Sequence, residues 1–194
     1  MIVSDKILII FEMANNHGGS VEHGKLIIES MREASKDIDC FDYAIKFQYR
    51  AQSFIHSSFR QGTNHKYVRR FTETRLSPEQ YMELAELARS YGWRVICTPF
   101  DEESVELIEK QNLDVIKIAS CSLTDWPLLE RVSKAGKPVI ASTATATLDN
   151  IDRVVSFFSH RGIELALMHC VAEYPTDEGH AEINQIDVLR NRYP

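Results

Sequence analysis

The chain has 194 residues, of which 44% are apolar and 26% charged, and its formal net charge is −6. These proportions are those of a globular domain, and they exclude a collagen-like repeat, a disordered tail and a disulfide-rich miniprotein. The acidic balance argues against nucleic acid as a partner, because phosphate backbones are bound by clustered Lys and Arg.

The sequence contains no pattern typical of a membrane anchor or a disulfide framework. The longest early apolar run, residues 7–11, is five residues long, whereas a transmembrane helix needs about 20. Cys40, Cys97, Cys121 and Cys170 form no CxxC pair, which indicates buried or free thiols in a reducing compartment. We therefore expect a cytoplasmic protein with no membrane partner.

Apolar runs of strand length alternate with amphipathic stretches along the whole sequence. The predicted strands are Ile7–Glu12, Tyr43–Gln48, Arg94–Thr98, Val115–Ile118, Pro138–Ser142 and Glu164–His169. Strand–helix–strand units repeated in this way predict right-handed parallel crossovers. We expect an α/β fold with parallel strands.

Capping signals predict where several helices begin and end. Ser77, with Pro78 and Gln80 after it, predicts an N-cap with a capping box, and Asp101 and Thr147 are further predicted N-caps. The residues expected to end helices before the next strand are Gly92, Asn112, Gly136 and Gly162.

A long interval between the second and third strands predicts an insertion from about Tyr49 to Arg75. Two interpretations remain open for it. It is either a solvated loop with a short helix or a lid over a site, because long loops in compact domains often serve function.

Polar side chains end each of the six predicted strands. They are Glu12; Lys46 and Gln48; Thr98; Lys117 and Ser120; Ser142 and Thr143; and His169, followed by Glu173 and Tyr174. Parallel α/β folds bind ligands at the carboxyl ends of their strands. This pattern therefore favours an enzyme.

Strand alternation places Lys46 opposite the apolar set Tyr43, Ile45 and Phe47, and it sets Lys117 against its apolar neighbours in the same way. A buried lysine is costly unless it is paired or binds an anion. Glu12 is expected to pair with one of the two lysines. The remaining positive charge favours an anionic ligand such as a phosphate or carboxylate, and the alternative is a purely structural ion pair.

Several common site motifs are missing from the sequence. There is no GxGxxG, P-loop or GxSxG motif. His17 and His169 have no partner at metal-ligand spacing, so the residues themselves predict no metal site. Cys97 and Cys170 lie near strand ends, where packing is favoured over a nucleophilic role.

A series of short segments along the chain forms a recognisable pattern. These segments are residues 11–19, 46–48, 97–101, 117–120, 127–129, 137–138, 142–143, 169–170 and 174–176. Each segment alone is a weak signal, but the series is specific and runs along nearly the whole chain. In order and spacing it resembles the motifs of the N-acetylneuraminate (sialic acid) synthase family, and it is nearest to the spore-coat-polysaccharide branch of that family.

The resemblance implies a (β/α)8 TIM barrel, of which residues 1–194 hold about six βα units as an incomplete synthase domain. It implies that phosphoenolpyruvate condenses with an N-acetylated sugar aldehyde to give a nonulosonic 2-keto sugar acid and phosphate. The family uses a divalent metal, typically manganese, to polarise the aldehyde. A homodimer is expected for full-length members.

Matching positions carry the family's site residues onto this sequence. The resemblance implies Lys46 and Lys117 as the catalytic lysines that bind phosphoenolpyruvate, and Glu12 as the carboxylate near its carbon 2. The implied substrate-binding residues are Gln48, Thr98, Ser120, Ser142, Thr143 and Tyr174, the last of them near the sugar.

The sequence also departs from the family pattern. Ala144 and Thr145 stand where the family usually has Gly-Met, so a methyl narrows the approach to phosphate. The family's metal-binding histidines lie on strands seven and eight, so neither His17 nor His169 inherits that role and no metal ligand is predicted. The small antifreeze-like C-terminal domain is expected to be absent, and the chain alone is expected to be inactive.

Other interpretations remain beside the synthase. One is a non-catalytic remnant or a domain that binds phosphate or sugar. Another is a Schiff-base aldolase that uses Lys46 or Lys117 as its amine. The acceptor stays open among N-acetylmannosamine, a phosphorylated form of it and a diacetamido-dideoxy sugar.

Overall fold

The structure is a computed structural model that describes Ile2, residues 5–60 and residues 65–193. The chain divides into two compact units. The first lies within residues 3–114, and the second comprises residues 115–194 with residues 1–2.

The first unit is built on a parallel sheet covered by helices. In spatial order, its described strands are β1 (Ile7–Glu12), β2 (Phe41–Tyr49) and β3 (Arg94–Pro99). Its described helices are α1 (Val21–Ser35), α2 (Ser57–Arg60), α3 (Lys66–Glu73), α4 (Pro78–Ser90) and α5 (Glu102–Lys110).

The two faces of this sheet differ in character, as the alternation in β2 predicts. Phe47 is fully buried and packs on Tyr81 of α4, with the ring centroids 5.8 Å apart. Phe11 of β1 packs on Trp93 at 5.1 Å. Lys46 alternates with these apolar residues, so its side chain lies on the opposite face of β2.

The second unit repeats the same organisation. Its described strands, again parallel and in chain order, are β4 (Val115–Ile118), β5 (Val139–Ser142) and β6 (Leu165–Met168). Its described helices are α6 (Trp126–Lys134), α7 (Leu148–Ser159) and α8 (Gln185–Arg192). Helix α7 buries Ile151, Val154 and Phe158 at helical spacing, and it packs on β6.

All six predicted strands are present, with small differences at their ends. The second strand begins at Phe41 rather than Tyr43 and includes Tyr49. The fifth begins at Val139 instead of Pro138, because proline has no N–H to donate to the sheet. The sixth ends at Met168, one residue before the predicted His169.

The predicted helix boundaries are confirmed. The Ser77 hydroxyl accepts a hydrogen bond from the Gln80 N–H, and the Gln80 side chain accepts one from the Ser77 N–H, which completes the capping box. Asp101 and Thr147 cap α5 and α7 through their side chains. The predicted helix-ending residues all have positive φ: Gly92, Asn112, Gly136 and Gly162.

The predicted fold class is therefore confirmed. The chain is an α/β protein of six successive βα units, which is the organisation of a truncated TIM barrel. Within the described residues, no helix is both long enough and apolar enough to cross a membrane.

Candidate functional site

Three predicted site residues of the first unit meet at the carboxyl ends of its strands. The sheet register sets Glu12 opposite Lys46 and Gln48 opposite Thr98. The Lys46 ammonium forms an ion pair with Glu12 Oε2 and donates to Thr98 Oγ1 at 3.3 Å. The expected pairing of Glu12 with a lysine is thus observed, and the lysine is Lys46.

The Glu12 carboxylate is held from two sides. Its Oε1 accepts a hydrogen bond from the Ala14 N–H at 2.9 Å, while Oε2 faces Lys46. The Glu12 side chain is 44% exposed, whereas that of Lys46 is only 11% exposed. The pair therefore combines a buried ammonium with a carboxylate that solvent and ligands can reach.

Two residues beyond Lys46, the Gln48 amide is bonded to a residue that the sequence interpretation missed. Arg50 Nη2 donates to Gln48 Oε1 at 2.9 Å. The Arg50 guanidinium lies between two rings, 4.3 Å from the Phe71 centroid and 3.9 Å from that of Phe100. No sequence motif marks Arg50. The available signal was its place two residues after Gln48, which puts both side chains on one side of an extended segment.

The second unit holds a separate polar cluster at the ends of β4 and β5. The Lys117 ammonium donates to the Ser142 hydroxyl and to the Ile118 carbonyl oxygen, the latter at 3.1 Å. Thr143 follows Ser142 and donates its hydroxyl to the Met168 carbonyl oxygen at 3.3 Å. Lys117, Ser142 and Thr143 are all buried. Ser120 begins the short 3₁₀ turn after β4 and is half-buried.

The predicted site residues near the sixth strand differ from the buried lysine clusters in exposure and in hydrogen bonding. Tyr174 is 91% exposed, so its ring projects into solvent. His169 hydrogen-bonds the Ala181 carbonyl oxygen through Nε2 at 2.9 Å. This is the contact of a structural histidine.

His17 is fully buried in the loop after β1 and links that loop to β2. Its Nδ1 accepts from the Gly19 N–H at 3.1 Å, so the ring proton of the neutral form is on Nε2. Nε2 lies 3.5 Å from the Tyr81 hydroxyl, which donates to the Gln48 carbonyl oxygen at 3.3 Å. Burial lowers the pKa of His17, and the charge of His23 lowers it further.

This lowered pKa predicts a pH dependence of stability. Below the ordinary pKa of 6.5 the unfolded chain takes up a proton that folded His17 resists, so the free energy of unfolding falls as the pH drops below about 6.5. The loss is at most about 1.4 kcal/mol per pH unit, and it ends once the folded pKa is passed. Urea titrations from pH 7.5 to 5 should show a steeper loss in the wild-type chain than in His17→Asn. An equal loss of unfolding free energy with falling pH in both proteins would contradict the assignment of this pH dependence to His17.

The predicted insertion lies partly outside the described residues, which omit residues 61–64. Its described part contains a 3₁₀ turn with α2 and α3, as the loop-and-helix interpretation expects, and the lid role stays a prediction. Phe54 contacts the rings of Phe71 and Phe100 at 6.2 and 6.0 Å. A cavity of about 390 Å³ borders the insertion, and its lining includes Gln48, Arg50, Phe71, Arg75, Tyr81 and Lys110.

The end of the insertion packs directly on Gly19. A Cβ at Gly19 would lie 2.9 Å from the Glu73 carbonyl oxygen, and the residue has a φ of +82°. At Gly18 the φ is +61°, but an added Cβ meets nothing within 4 Å. We predict that Gly19→Ala destabilises the chain by about 3 kcal/mol, from overpacking added to backbone strain. Gly18→Ala should cost only about 1 kcal/mol.

Thermal and urea unfolding of both glycine variants test this prediction. The matched pair separates contact with Glu73 from backbone strain, because both residues have positive φ. Equal losses for the two variants would show that the close approach at Gly19 has no energetic weight.

The cysteines show no reactive arrangement in the described residues. Cys97 is fully buried, and burial raises the pKa of its thiol well above the ordinary value. All four cysteines are free thiols. The packing interpretation of Cys97 is thereby favoured over a nucleophilic one.

The described residues do not fit a resident metal ion. Within them, no group of three or more His, Cys, Asp or Glu side chains is arranged to hold one. His17 and His169 each use a ring nitrogen in a hydrogen bond to the backbone.

Comparison with known protein families matches residues 34–194 to the model of the NeuB family. The uncharacterized protein MJ1065 of Methanocaldococcus jannaschii is 35% identical over 185 residues, which are 94% of this chain and 51% of that protein. The N-acetylneuraminate-9-phosphate synthase of Drosophila melanogaster is 30% identical over 202 residues, which are 98% of this chain and 52% of the synthase. The chain thus spans about half the length of these curated relatives.

A solved structure is similar over nearly the whole chain. It is the crystal structure of a protein described as spore coat polysaccharide biosynthesis protein E from Chromobacterium violaceum. It is 56% identical, with a TM-score of 0.93, and the match covers 97% of this chain and 56% of that one.

Proposed function

Because the chain belongs to the NeuB family, we propose that it carries the phosphoenolpyruvate-binding part of a sialic-acid-type synthase. The full reaction would join phosphoenolpyruvate to an N-acetylated sugar aldehyde and release phosphate. Relatives named as synthases support the reaction class. The observation that carries the ligand assignment is the buried Lys46, held between Glu12 and Thr98 at the strand ends.

The charges of the two clusters suit an anionic ligand. A buried ammonium is stable only with acceptors or counter-charges around it. Lys46 uses two of its three N–H donors on Glu12 and Thr98, which leaves one direction for a ligand oxygen. Lys117 in the second unit is held by the Ser142 hydroxyl. Phosphoenolpyruvate carries both a phosphate and a carboxylate, and either of these anionic groups suits a buried ammonium.

Glu12 is proposed to act at the carbon that gains water. Its two oxygens are oriented by the Ala14 N–H and the Lys46 ammonium, and each keeps a second lone pair for a water molecule or a ligand. A carboxylate oriented before the ligand arrives can direct a water, or remove its proton, without rearranging. Ser142, Thr98 and Ser120 are proposed to supply hydroxyl donors, whereas the Thr143 hydroxyl already donates its proton to the Met168 carbonyl oxygen and can only accept.

A second candidate is a domain that binds the same anion without turnover. It rests on the same buried Lys46, because an ammonium held in this way can bind an anion whether or not a reaction follows. It predicts the same anion binding as the synthase proposal and differs only in the reaction that follows.

Phosphorus NMR separates these outcomes. Adding the chain to phosphoenolpyruvate should shift and broaden the phosphorus resonance, and an unchanged resonance at millimolar ligand would contradict both candidates. N-acetylmannosamine and a divalent metal are then added, and inorganic phosphate is measured colorimetrically. Phosphate release supports the synthase for the chain itself, whereas binding without release supports the binding domain.

A further inference from the structure

The hydrogen bond between Arg50 and the proposed substrate-binding residue Gln48 has a direction that the chemistry of the guanidinium fixes. A guanidinium has donors and no acceptor, so the Gln48 atom that faces it must be the carbonyl oxygen Oε1. The Arg50 Nη2 to Gln48 Oε1 distance is 2.9 Å. The orientation of the Gln48 amide is therefore fixed, with its NH₂ group at the end away from Arg50.

Arg50 is itself held in place by its surroundings. Its guanidinium lies 4.3 Å from the ring centroid of Phe71, on the insertion, and 3.9 Å from that of Phe100, which follows β3. The Phe100 N–H donates to the Tyr49 carbonyl oxygen at 3.1 Å, which fixes one side of this stack to β2. A planar guanidinium suits such stacking, whereas a lysine ammonium does not.

The backbone on either side of Arg50 is also tied down. The Ala51 N–H donates to Asp101 Oδ2 at 2.8 Å, and Asp101 Oδ1 caps α5 through the Ser104 N–H at 2.7 Å. The residue that orients Gln48 is thus fixed by both its backbone and its side chain. Supporting contacts of this kind preorganise a binding group.

We propose that Arg50 is a positioning residue that presents Gln48 to the substrate as a hydrogen-bond donor, so that Gln48 recognises an oxygen acceptor. Gln48 lies on the same face of β2 as Lys46, opposite Thr98, and lines the cavity beside the insertion. This inference rests on the proposed function. The acceptor is a carboxylate or phosphate oxygen of phosphoenolpyruvate, or the acetamido oxygen of the sugar.

The test uses three variants and two probes, applied separately to the purified chain. The probes are phosphoenolpyruvate and N-acetylmannosamine, and the readouts are calorimetric affinity and the Gln48 side-chain NH₂ resonances in ¹H–¹⁵N spectra. Gln48→Glu keeps an acceptor for Arg50 but has no NH₂ group. Arg50→Met fills the space between the rings but cannot donate. Arg50→Lys keeps the charge but loses the planar stack.

We expect the Gln48 NH₂ resonances to shift with the probe that supplies the acceptor. Gln48→Glu should lower the affinity for that probe about tenfold or more, because a hydrogen-bond donor is replaced by a carboxylate that repels the acceptor. Arg50→Met should lower the affinity for the same probe about threefold to tenfold. The Gln48 NH₂ resonances should then move toward those of a freely rotating side chain. Arg50→Lys should give only partial rescue. If Arg50→Met does not fold, Arg50→Leu takes its place, because leucine is also apolar and cannot donate.

Arg161→Met is the matched control. Arg161 also lies over a ring, 3.7 Å from the Phe157 centroid, but it is on an exposed part of the second unit. Its replacement should leave both affinities unchanged. Wild-type affinity in folded Arg50→Met would overturn the positioning role, and wild-type affinity in Gln48→Glu would overturn the donor role.

Failure of the proposed function would look different. If neither probe binds the wild-type chain, the ligand assignment is wrong, while the Arg50–Gln48 contact remains measurable. In that case the Gln48 NH₂ protons should still differ in chemical shift and solvent exchange between the wild type and Arg50→Met. Identical NH₂ signals in the two proteins would overturn the positioning role without reference to any ligand.

Discussion

Replacing Lys46 with Met is expected to raise the dissociation constant for phosphoenolpyruvate about 100-fold. The change removes a charge-assisted hydrogen bond, worth about 1.5–3 kcal/mol, and each tenfold in affinity corresponds to about 1.4 kcal/mol. It also leaves the Glu12 carboxylate without its ammonium partner, so an anionic ligand would meet an uncompensated negative charge. Isothermal titration calorimetry of both proteins measures the difference.

A matched lysine separates this effect from a general loss of positive charge. Lys134 also pairs with a glutamate, Glu130, at 3.8 Å, but its side chain is 66% exposed. Lys134→Met should leave the dissociation constant within threefold of the wild type. The Lys46→Met protein should stay folded, because methionine fills the space and Glu12 is solvated on its open side. A folded Lys46→Met protein with wild-type affinity would contradict the ligand assignment.

Phe158→Ala is expected to reduce the free energy of unfolding of the second unit by about 3–5 kcal/mol. Phe158 is fully buried on the face of α7 that packs on β6. Truncating a buried phenylalanine costs this much because the apolar burial is lost and a cavity is left behind. Since a domain has only about 5–15 kcal/mol of stability, the loss is a large share of the total. Urea unfolding monitored by circular dichroism measures it.

The neighbouring phenylalanine is the control for Phe158. Phe157 is half-buried, with the Trp126 ring at 5.6 Å and the Arg161 guanidinium at 3.7 Å. Its truncation removes only these partly exposed contacts and should cost about 1 kcal/mol. If the two alanine variants were equally stable, the assignment of the buried face of α7 would be wrong.

The regular elements were predictable because local signals agree with the fold. Short apolar runs predicted all six strands, and the Ser77–Gln80 capping box and the helix-ending Gly92 were each read from a few adjacent residues. Such signals need no knowledge of distant contacts. Strand ends were less certain, as at Pro138, where hydrogen bonding to a neighbouring strand decides where the ladder begins.

The candidate site was predictable only in part, because its supporting contacts are between distant residues. Alternation placed Lys46 on the polar face, but only the strand register shows that Glu12 is its partner. The rings that hold the Arg50 guanidinium lie 21 and 50 residues further along the chain. No local pattern predicts such a stack.

His17 illustrates the same limit. The sequence showed a lone histidine in a glycine-containing loop, and spacing alone could only argue against a metal site. Its contacts with Gly19 and Tyr81 depend on how that loop meets α4. The structure therefore adds a hydrogen-bonded link to the β2 end that the residue types did not indicate.

Binding of phosphoenolpyruvate by the buried lysines at the strand ends is tested most directly by calorimetric titration of the wild-type chain beside a Lys46→Met/Lys117→Met double variant. We predict saturable binding to the wild type and no measurable binding to a double variant shown to be folded by circular dichroism. Equal binding by both proteins, or no saturable heat from the folded wild-type chain, would contradict the account.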